Sequence, residues 1–197
     1  MSDPAHEILV IRHPETLANA SGHLIGRSDS PISPLGTVQT AALARHVAEW
    51  QPEIIFSSPL GRALDTARAI APGGTPVELV DDLMEIDFGS AEGLTWAELR
   101  SRGIALDYSG GPVAPGGEAG VDFMARVGRA AARVADGPSR AAVVTHGGMF
   151  RHLLTTWLRL PAEAAWRFEV PNAGMAVVRL HADTGVLERL GPPLSSA

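Results

Sequence analysis

Short apolar runs alternate with longer segments of helical periodicity along most of the chain. Runs rich in β-branched residues predict buried strands at residues 7–12, 53–58, 75–80 and 141–146. Apolar residues spaced three and four apart predict helices at residues 35–50, 59–71, 95–102, 123–134 and 150–158. Ser58 is the expected N-cap of the second helix, with Pro59 in its first turn. Residues 174–190 predict a hairpin or two edge strands.

Strands that alternate with helices are typical of a mostly parallel sheet covered on both faces. We therefore expect an α/β fold, a three-layer αβα sandwich. The sequence shows no internal repeat and no linker long enough to divide it. The prediction is one domain spanning residues 1–197.

The amino-acid composition excludes several reaction mechanisms and binding partners. The chain has 197 residues, no cysteine, no lysine and a net charge of −6, so all 16 basic residues are arginines. Thiol and lysine Schiff-base mechanisms are excluded, and the acidic balance argues against nucleic-acid or lipid binding. The sequence has no run of ~20 apolar residues and no signal-peptide pattern, so we expect a cytoplasmic enzyme.

Cationic side chains follow three of the predicted strands. "LVIRH" delivers Arg12 and His13, "AVVTH" delivers His146, and "SPLGR" places Arg62 early in the next helix. Ligands of open α/β sheets bind in the crevice outside the carboxyl ends of the strands. Two arginines and two histidines at one rim of an acidic protein predict an anion pocket, with phosphate as the expected anion.

Several motifs together resemble the histidine phosphatase superfamily, which is phosphoglycerate mutase-like in fold. These are "RHPET", "GRSDSPISPLG", "SSPLGRALDTA", "EIDFGSAEG" and "THGGMFRHLL", in the order in which the family carries them. The resemblance implies that His13 is a nucleophile that becomes phosphohistidine. It implies that Arg12, Arg62 and His146 bind the phosphoryl oxygens. No metal and no cofactor is implied.

The same resemblance assigns the proton donor and the substrate contacts. Glu85 matches the residue that protonates the leaving oxygen and then activates water, which predicts a pH optimum from acidic to neutral. Glu92 or Asp87 takes that role if the segment is registered differently. The expected substrate contacts are Asn19, Gly26, Arg27 and Gly147, with His23 in the same loop as Arg27.

The third residue of the family's usual Arg-His-Gly block is Pro14 here. Proline lacks the backbone N–H but keeps its carbonyl. A carbonyl near residue 14 is still able to fix the tautomer of His13, so we expect Pro14 to be tolerated. Ile25 is apolar where related mutases carry a small hydroxyl residue, which weakens the case for mutase-type contacts.

The short Glu85–His146 segment leaves little room for the insertion that covers the active site of the mutases. An open pocket lets water take the phosphoryl group, so a phosphatase is preferred over a mutase. The loops look most like α-ribazole-5′-phosphate phosphatases, with a broad-specificity or sugar-phosphate phosphatase as the alternative. A non-catalytic binding module of the same fold is the rival class. The expected partners are a small phosphorylated metabolite and the product inorganic phosphate, and a homodimer stays open.

Overall fold

A computed structural model describes residues 6–108, 110–181 and 184–192. Six strands form one sheet: β1 (His6–Arg12), β2 (Ile54–Ser57), β3 (Val77–Leu79), β4 (Arg140–Thr145), β5 (Met175–Leu180) and β6 (Gly185–Gly191). Their order across the sheet is β3-β2-β4-β1-β5-β6. Strands β1 to β4 are parallel to one another, whereas β5 is antiparallel to both of its neighbours, β1 and β6. The predicted mostly parallel sheet and C-terminal hairpin are confirmed, and residues 182–183 between β5 and β6 lie outside the described residues.

Six α-helices accompany the sheet: α1 (Leu17–Ala20), α2 (Pro34–Trp50), α3 (Gly61–Ile70), α4 (Trp96–Ser101), α5 (Gly120–Ala135) and α6 (Gly147–Trp157). All five predicted helices are present. The four-residue α1 was not predicted, because it is too short to show a helical period. None of the helices in the described part of the chain has the length and apolar character of a membrane span.

Both faces of the sheet are buried, as the continuous apolar runs predict. In β1, Ile8 and Val10 belong to a core on one face, while Leu9 and Ile11 belong to a core on the other. Helices α5 and α6 pack on the first face, and α2 and α3 on the second. Each fully buried aliphatic side chain contributes roughly 1.5–3 kcal/mol, so this two-sided burial holds the ends of the parallel strands in fixed positions.

The predicted start of α3 is wrong. The helix begins at Gly61, its N-cap is Leu60, and no side chain caps it. Ser58 is not the N-cap, because the helix begins two residues later than the sequence pattern predicts. Its hydroxyl accepts from the backbone N–H of Leu60 over 3.3 Å and also lies 2.8 Å from Nε2 of His146.

Candidate active site

His13 follows β1 directly, and its surroundings fix its tautomer. The Nδ1 atom lies 2.7 Å from the carbonyl oxygen of Pro14. A carbonyl only accepts, so Nδ1 carries the proton and the lone pair lies on Nε2. The backbone N–H of His13 donates to the carbonyl of Thr145 at the end of β4. The expectation that Pro14 still supplies an acceptor is thus confirmed.

The His13 ring is held in its neutral form. Burial, together with the charges of Arg62 and Arg12, lowers its pKa well below the usual 6.5, and the Pro14 carbonyl opposes this only in part. The Nε–H of Arg62 points at Nε2 of His13 from 3.3 Å. A neutral imidazole that keeps its lone pair on Nε2 is the form that attacks phosphorus.

Arg62 is anchored by backbone carbonyls. Its Nη2 donates to Gly26 over 2.7 Å, and its Nη1 donates to Ser28 over 2.8 Å. Its side chain is fully buried, with one longer ion pair to Asp29. Carbonyls orient a guanidinium without neutralising it, so the positive charge beside His13 is largely kept.

Arg12 is also held by a backbone carbonyl. Its Nη1 donates to the carbonyl of Val170 over 2.7 Å, while its buried Nε has no hydrogen-bond partner among the described residues. Burial and the neighbouring Arg151 lower the pKa of Arg12 to about 10, opposed by Glu85. The guanidinium therefore stays charged at neutral pH and has donors left for an anion.

His146 is the N-cap residue of α6, and its ring is tilted by 59° against that of His13, with ring centroids 5.2 Å apart. Its Nε2 is hydrogen-bonded to the hydroxyl of Ser58, and its buried Nδ1 has no partner within the described chain. Burial and the charge of Arg62 are the main reasons why its pKa is well below 6.5. The unpaired Nδ1 is a polar atom available to a ligand.

Glu85 lies against the first turn of α6. Its Oε2 accepts from the backbone N–H of Gly148 over 2.8 Å, and its Oε1 accepts from Met149 over 3.2 Å and from Ile86 over 3.0 Å. A Cβ at position 148 would lie 2.5 Å from Oε1. The carboxyl group therefore needs a glycine at this position and is fixed by backbone groups alone.

These groups meet at a cavity of 340 Å³. Of the predicted site residues, Arg12, His13, Asn19, Glu85 and Gly147 line the cavity. Arg62 and His146 are buried beside His13. The clustering of two arginines, two histidines and one glutamate at the carboxyl ends of β1, β2 and β4 agrees with the anion pocket expected from the sequence.

Two predicted substrate contacts are placed elsewhere. Gly26 contributes its carbonyl to Arg62, and its backbone lies so close to Ile86 that a Cβ would meet the Ile86 carbonyl at 2.2 Å. Arg27 turns away from the cavity, because its guanidinium contacts the sulfur of Met84 and pairs with Glu118 at 3.7 Å. Both residues therefore support the loop around Arg62 and do not line the cavity.

The two alternative proton donors, Glu92 and Asp87, make hydrogen bonds outside the cavity. Glu92 accepts from the backbone N–H groups of Arg27 and Ser28, and Asp87 accepts from Gly89. Neither carboxylate lines the cavity, whereas Glu85 does. The structure therefore favours Glu85 among the three.

Sequence reasoning missed several cavity residues, among them Tyr108, Arg151 and Trp166. Arg151 lies one helical turn after Gly147 in the "THGGMFRHLL" block, and this spacing was a usable signal. Tyr108 and Trp166 come from segments of weak periodicity. Only tertiary packing brings them to within 4.9 Å of each other, measured between ring centroids.

The sequence profile described as "Histidine phosphatase superfamily (branch 1)" matches residues 8–192. The chain belongs to this superfamily. It is 33% identical to the metal-independent phosphoserine phosphatase of Arabidopsis thaliana over 193 residues, covering 92% of this chain and 79% of that one.

Solved structures give the same assignment. The α-ribazole phosphatase of Shigella flexneri superposes with a TM-score of 0.85 at 26% identity, covering 97% of this chain and 98% of that one. A mycobacterial glucosyl-3-phosphoglycerate phosphatase complexed with VO3 gives a TM-score of 0.84 at 28% identity, covering 95% and 100%. These relatives are named as phosphatases of different substrates.

Proposed function

We propose that the protein is a metal-independent phosphomonoesterase that hydrolyses a small phosphorylated metabolite through a phosphohistidine on His13. The observation that carries the proposal is the fixed tautomer of His13, whose Nε2 faces Arg62 beside a cavity that Arg12 and Glu85 also line. Phosphoryl transfer needs mainly positioning and charge stabilisation, which anchored guanidiniums supply.

In the first step, Nε2 of His13 attacks phosphorus and the bond from phosphorus to the ester oxygen breaks. Glu85 gives its proton to the departing oxygen, which leaves as an alcohol. Arg12, Arg62 and Nδ1 of His146 face the phosphoryl oxygens. The Nε–H of Arg62, which points at His13 in the free protein, then donates to a phosphoryl oxygen instead.

In the second step, water attacks the phosphohistidine. Glu85, now a carboxylate, takes a proton from this water while the bond between nitrogen and phosphorus breaks. Inorganic phosphate leaves, and His13 returns to the neutral form with its proton on Nδ1. The two steps regenerate the enzyme with one water consumed for each phosphoester.

The test is hydrolysis of p-nitrophenyl phosphate with excess EDTA. We expect turnover that survives chelation, together with a ³²P-labelled, acid-labile intermediate on the wild-type protein. The His13→Ala variant should lose both signals.

The pH dependence of the activity is a second test. Because the pKa of His13 is lowered by burial and by Arg62, the imidazole stays neutral on the acidic side of pH 6.5. Activity should therefore persist there, and a maximum well above pH 8 would argue against Glu85 as the acid.

Two other outcomes identify the rival functions. Conversion of 3-phosphoglycerate to 2-phosphoglycerate without net phosphate release would identify a mutase. Absence of turnover on a panel of phosphomonoesters would favour a binding module. The relative named as metal-independent supports the EDTA-resistant outcome.

A further inference from the structure

Arg151 is a cationic residue of the cavity that the proposed mechanism does not use. It lies on α6, lines the cavity and is partly buried. Its Nε donates to the carbonyl of Phe168 and its Nη1 to the carbonyl of Gly147, each over 3.0 Å. Both acceptors are neutral, and none of the ion pairs within the described residues involves Arg151. Its Nη2 has no hydrogen-bond acceptor among residues 6–108, 110–181 and 184–192.

Arg151 and Arg12 lie on either side of one glycine. A Cβ built on Gly147 would lie 3.2 Å from Nη1 of Arg151 and 3.3 Å from Nε of Arg12. The charge of Arg151 is one of the causes that lower the pKa of Arg12. Two guanidiniums this close are expected to bind anions on adjacent groups of one ligand.

The positive charges that surround the cavity outnumber the negative charges when a phosphoester is bound. In the proposed mechanism a phosphate dianion meets Arg12 and Arg62, and Glu85 is protonated when the phosphoester is bound. Arg151 then remains as a partly desolvated and uncompensated cation. Such a charge is costly unless it is paired, so a second negative group on the ligand is favoured here.

Tyr108 and Trp166 complete the surroundings of Arg151. Trp166 lies under the guanidinium, with Cζ of Arg151 5.9 Å from its ring centroid, and Tyr108 packs against Trp166. Burial and the charge of Glu85 raise the pKa of Tyr108, so its hydroxyl remains a donor. A guanidinium nitrogen and a phenol hydroxyl form a pair of donors, which suits the two oxygens of a carboxylate.

We propose that Arg151 and Tyr108 form a subsite for a carboxylate on the leaving group, so that the substrate is a phosphomonoester of a small hydroxy acid. This proposal rests on the proposed function and adds the substrate class. The short distance between Arg151 and Arg12 places the carboxylate within a few bonds of the ester oxygen. Trp166 then covers the carbon skeleton between the two anionic groups.

The experiment compares O-phosphoserine with O-phosphoethanolamine, which differ by the carboxylate. We expect wild-type kcat/KM to favour O-phosphoserine by at least about tenfold, the gain of one charge-assisted interaction. Arg151→Gln should reduce kcat/KM for O-phosphoserine by about 10- to 100-fold, mostly through KM, and that for O-phosphoethanolamine by less than about threefold. Arg68→Gln, at an exposed position on α3, is the matched control and should change neither.

Tyr108→Phe removes one hydroxyl without disturbing the anchoring bonds of Arg151, so it tests the subsite even if Arg151→Gln folds poorly. This variant should have a lower kcat/KM for O-phosphoserine and an unchanged kcat/KM for O-phosphoethanolamine. Equal losses on both compounds would place Arg151 in the phosphate clamp and overturn the proposal. Wild-type indifference to the carboxylate would overturn it too. If the wild type does not hydrolyse even p-nitrophenyl phosphate, the proposed function fails. The subsite is then tested alone by measuring the affinity of the wild type and of Arg151→Gln for O-phosphoserine by calorimetry. Weaker binding to the variant supports the subsite, and equal binding overturns it.

Discussion

At the scale of single residues, backbone atoms control the groups of the proposed mechanism. Pro14 orients His13 through its carbonyl, and Gly148 and Met149 orient Glu85 through their N–H groups. The residue at position 14 therefore matters mainly through its main chain, whereas the residue at position 148 must also leave room for the Glu85 carboxyl group.

Pro14→Gly is expected to change kcat/KM by less than about tenfold, because the carbonyl that accepts from Nδ1 of His13 remains. The restored N–H adds one donor but does not alter the tautomer. Steady-state kinetics on p-nitrophenyl phosphate check this. An increase of several orders of magnitude would show that the missing N–H, rather than the carbonyl, limits the reaction.

Gly148→Ala is expected to lower kcat by about 10²-fold, the scale of a displaced general acid. Its Cβ would lie 2.5 Å from Oε1 of Glu85 and force the carboxyl group to move. The matched control is Gly128→Ala in α5, where a Cβ meets no atom within 4 Å. That control should gain about 1 kcal/mol in stability from helix propensity without loss of activity. An unchanged kcat in Gly148→Ala would contradict the assigned position of Glu85.

At the scale of elements, the ends of helices do most of the positioning. The α6 N-terminus offers its free N–H groups to Glu85 and has His146 as its N-cap residue, so one helix end presents both an acid and a histidine. The α2 N-terminus is set by Ser33, whose buried hydroxyl accepts from Gly36 over 2.9 Å and donates to Glu15 over 2.7 Å. This second contact joins α2 to the loop that follows His13.

Ser33→Ala should lower the free energy of unfolding by about 1–2 kcal/mol, through loss of the cap and of the bond to Glu15. Ser101→Ala, at the exposed end of α4 where the hydroxyl donates to Glu98, is the control and should be within about 0.5 kcal/mol of wild type. Urea denaturation of both variants measures the difference. Equal stabilities would mean that the α2 cap does not stabilise the fold.

At the scale of the whole molecule, an acidic protein surrounds a cationic cavity. The net charge is −6, yet the cavity walls carry Arg12 and Arg151, with Arg62 behind them. Such a local reversal of sign concentrates anions at the cavity and leaves the rest of the surface unattractive to them. The arrangement also buries His13 and His146, which links folding to pH.

Acidification from pH 7 to pH 5 should destabilise the protein. Burial and Arg62 depress the folded-state pKa of His13 and of His146 below 6.5, so only the unfolded chain takes up these protons. The two histidines therefore do not affect the free energy of unfolding above pH 6.5. Below pH 6.5 each of them lowers it by about 1 kcal/mol per pH unit. Urea denaturation at several pH values gives the slope, which should be smaller for His146→Asn. A flat profile would mean that both rings are protonated in the folded state.

The sequence by itself determined the layers and the catalytic candidates. Apolar runs predicted β1, β2, β3 and β4, and they also located His13 and His146, since residues after parallel strands share one edge of a sheet. The motif around Glu85 predicted its place in the cavity. These features depend on local order and periodicity, and both can be read along the chain.

Tertiary structure alone decided the outer part of the cavity and the use of ambiguous polar groups. Ser58 has the sequence of a cap but bonds His146, and Arg27 has the sequence of a substrate contact but pairs with Glu118. Tyr108 and Trp166 meet although 58 positions separate them. A long arginine or a hydroxyl has several partners within reach, and the choice among them depends on packing between segments that no local pattern specifies.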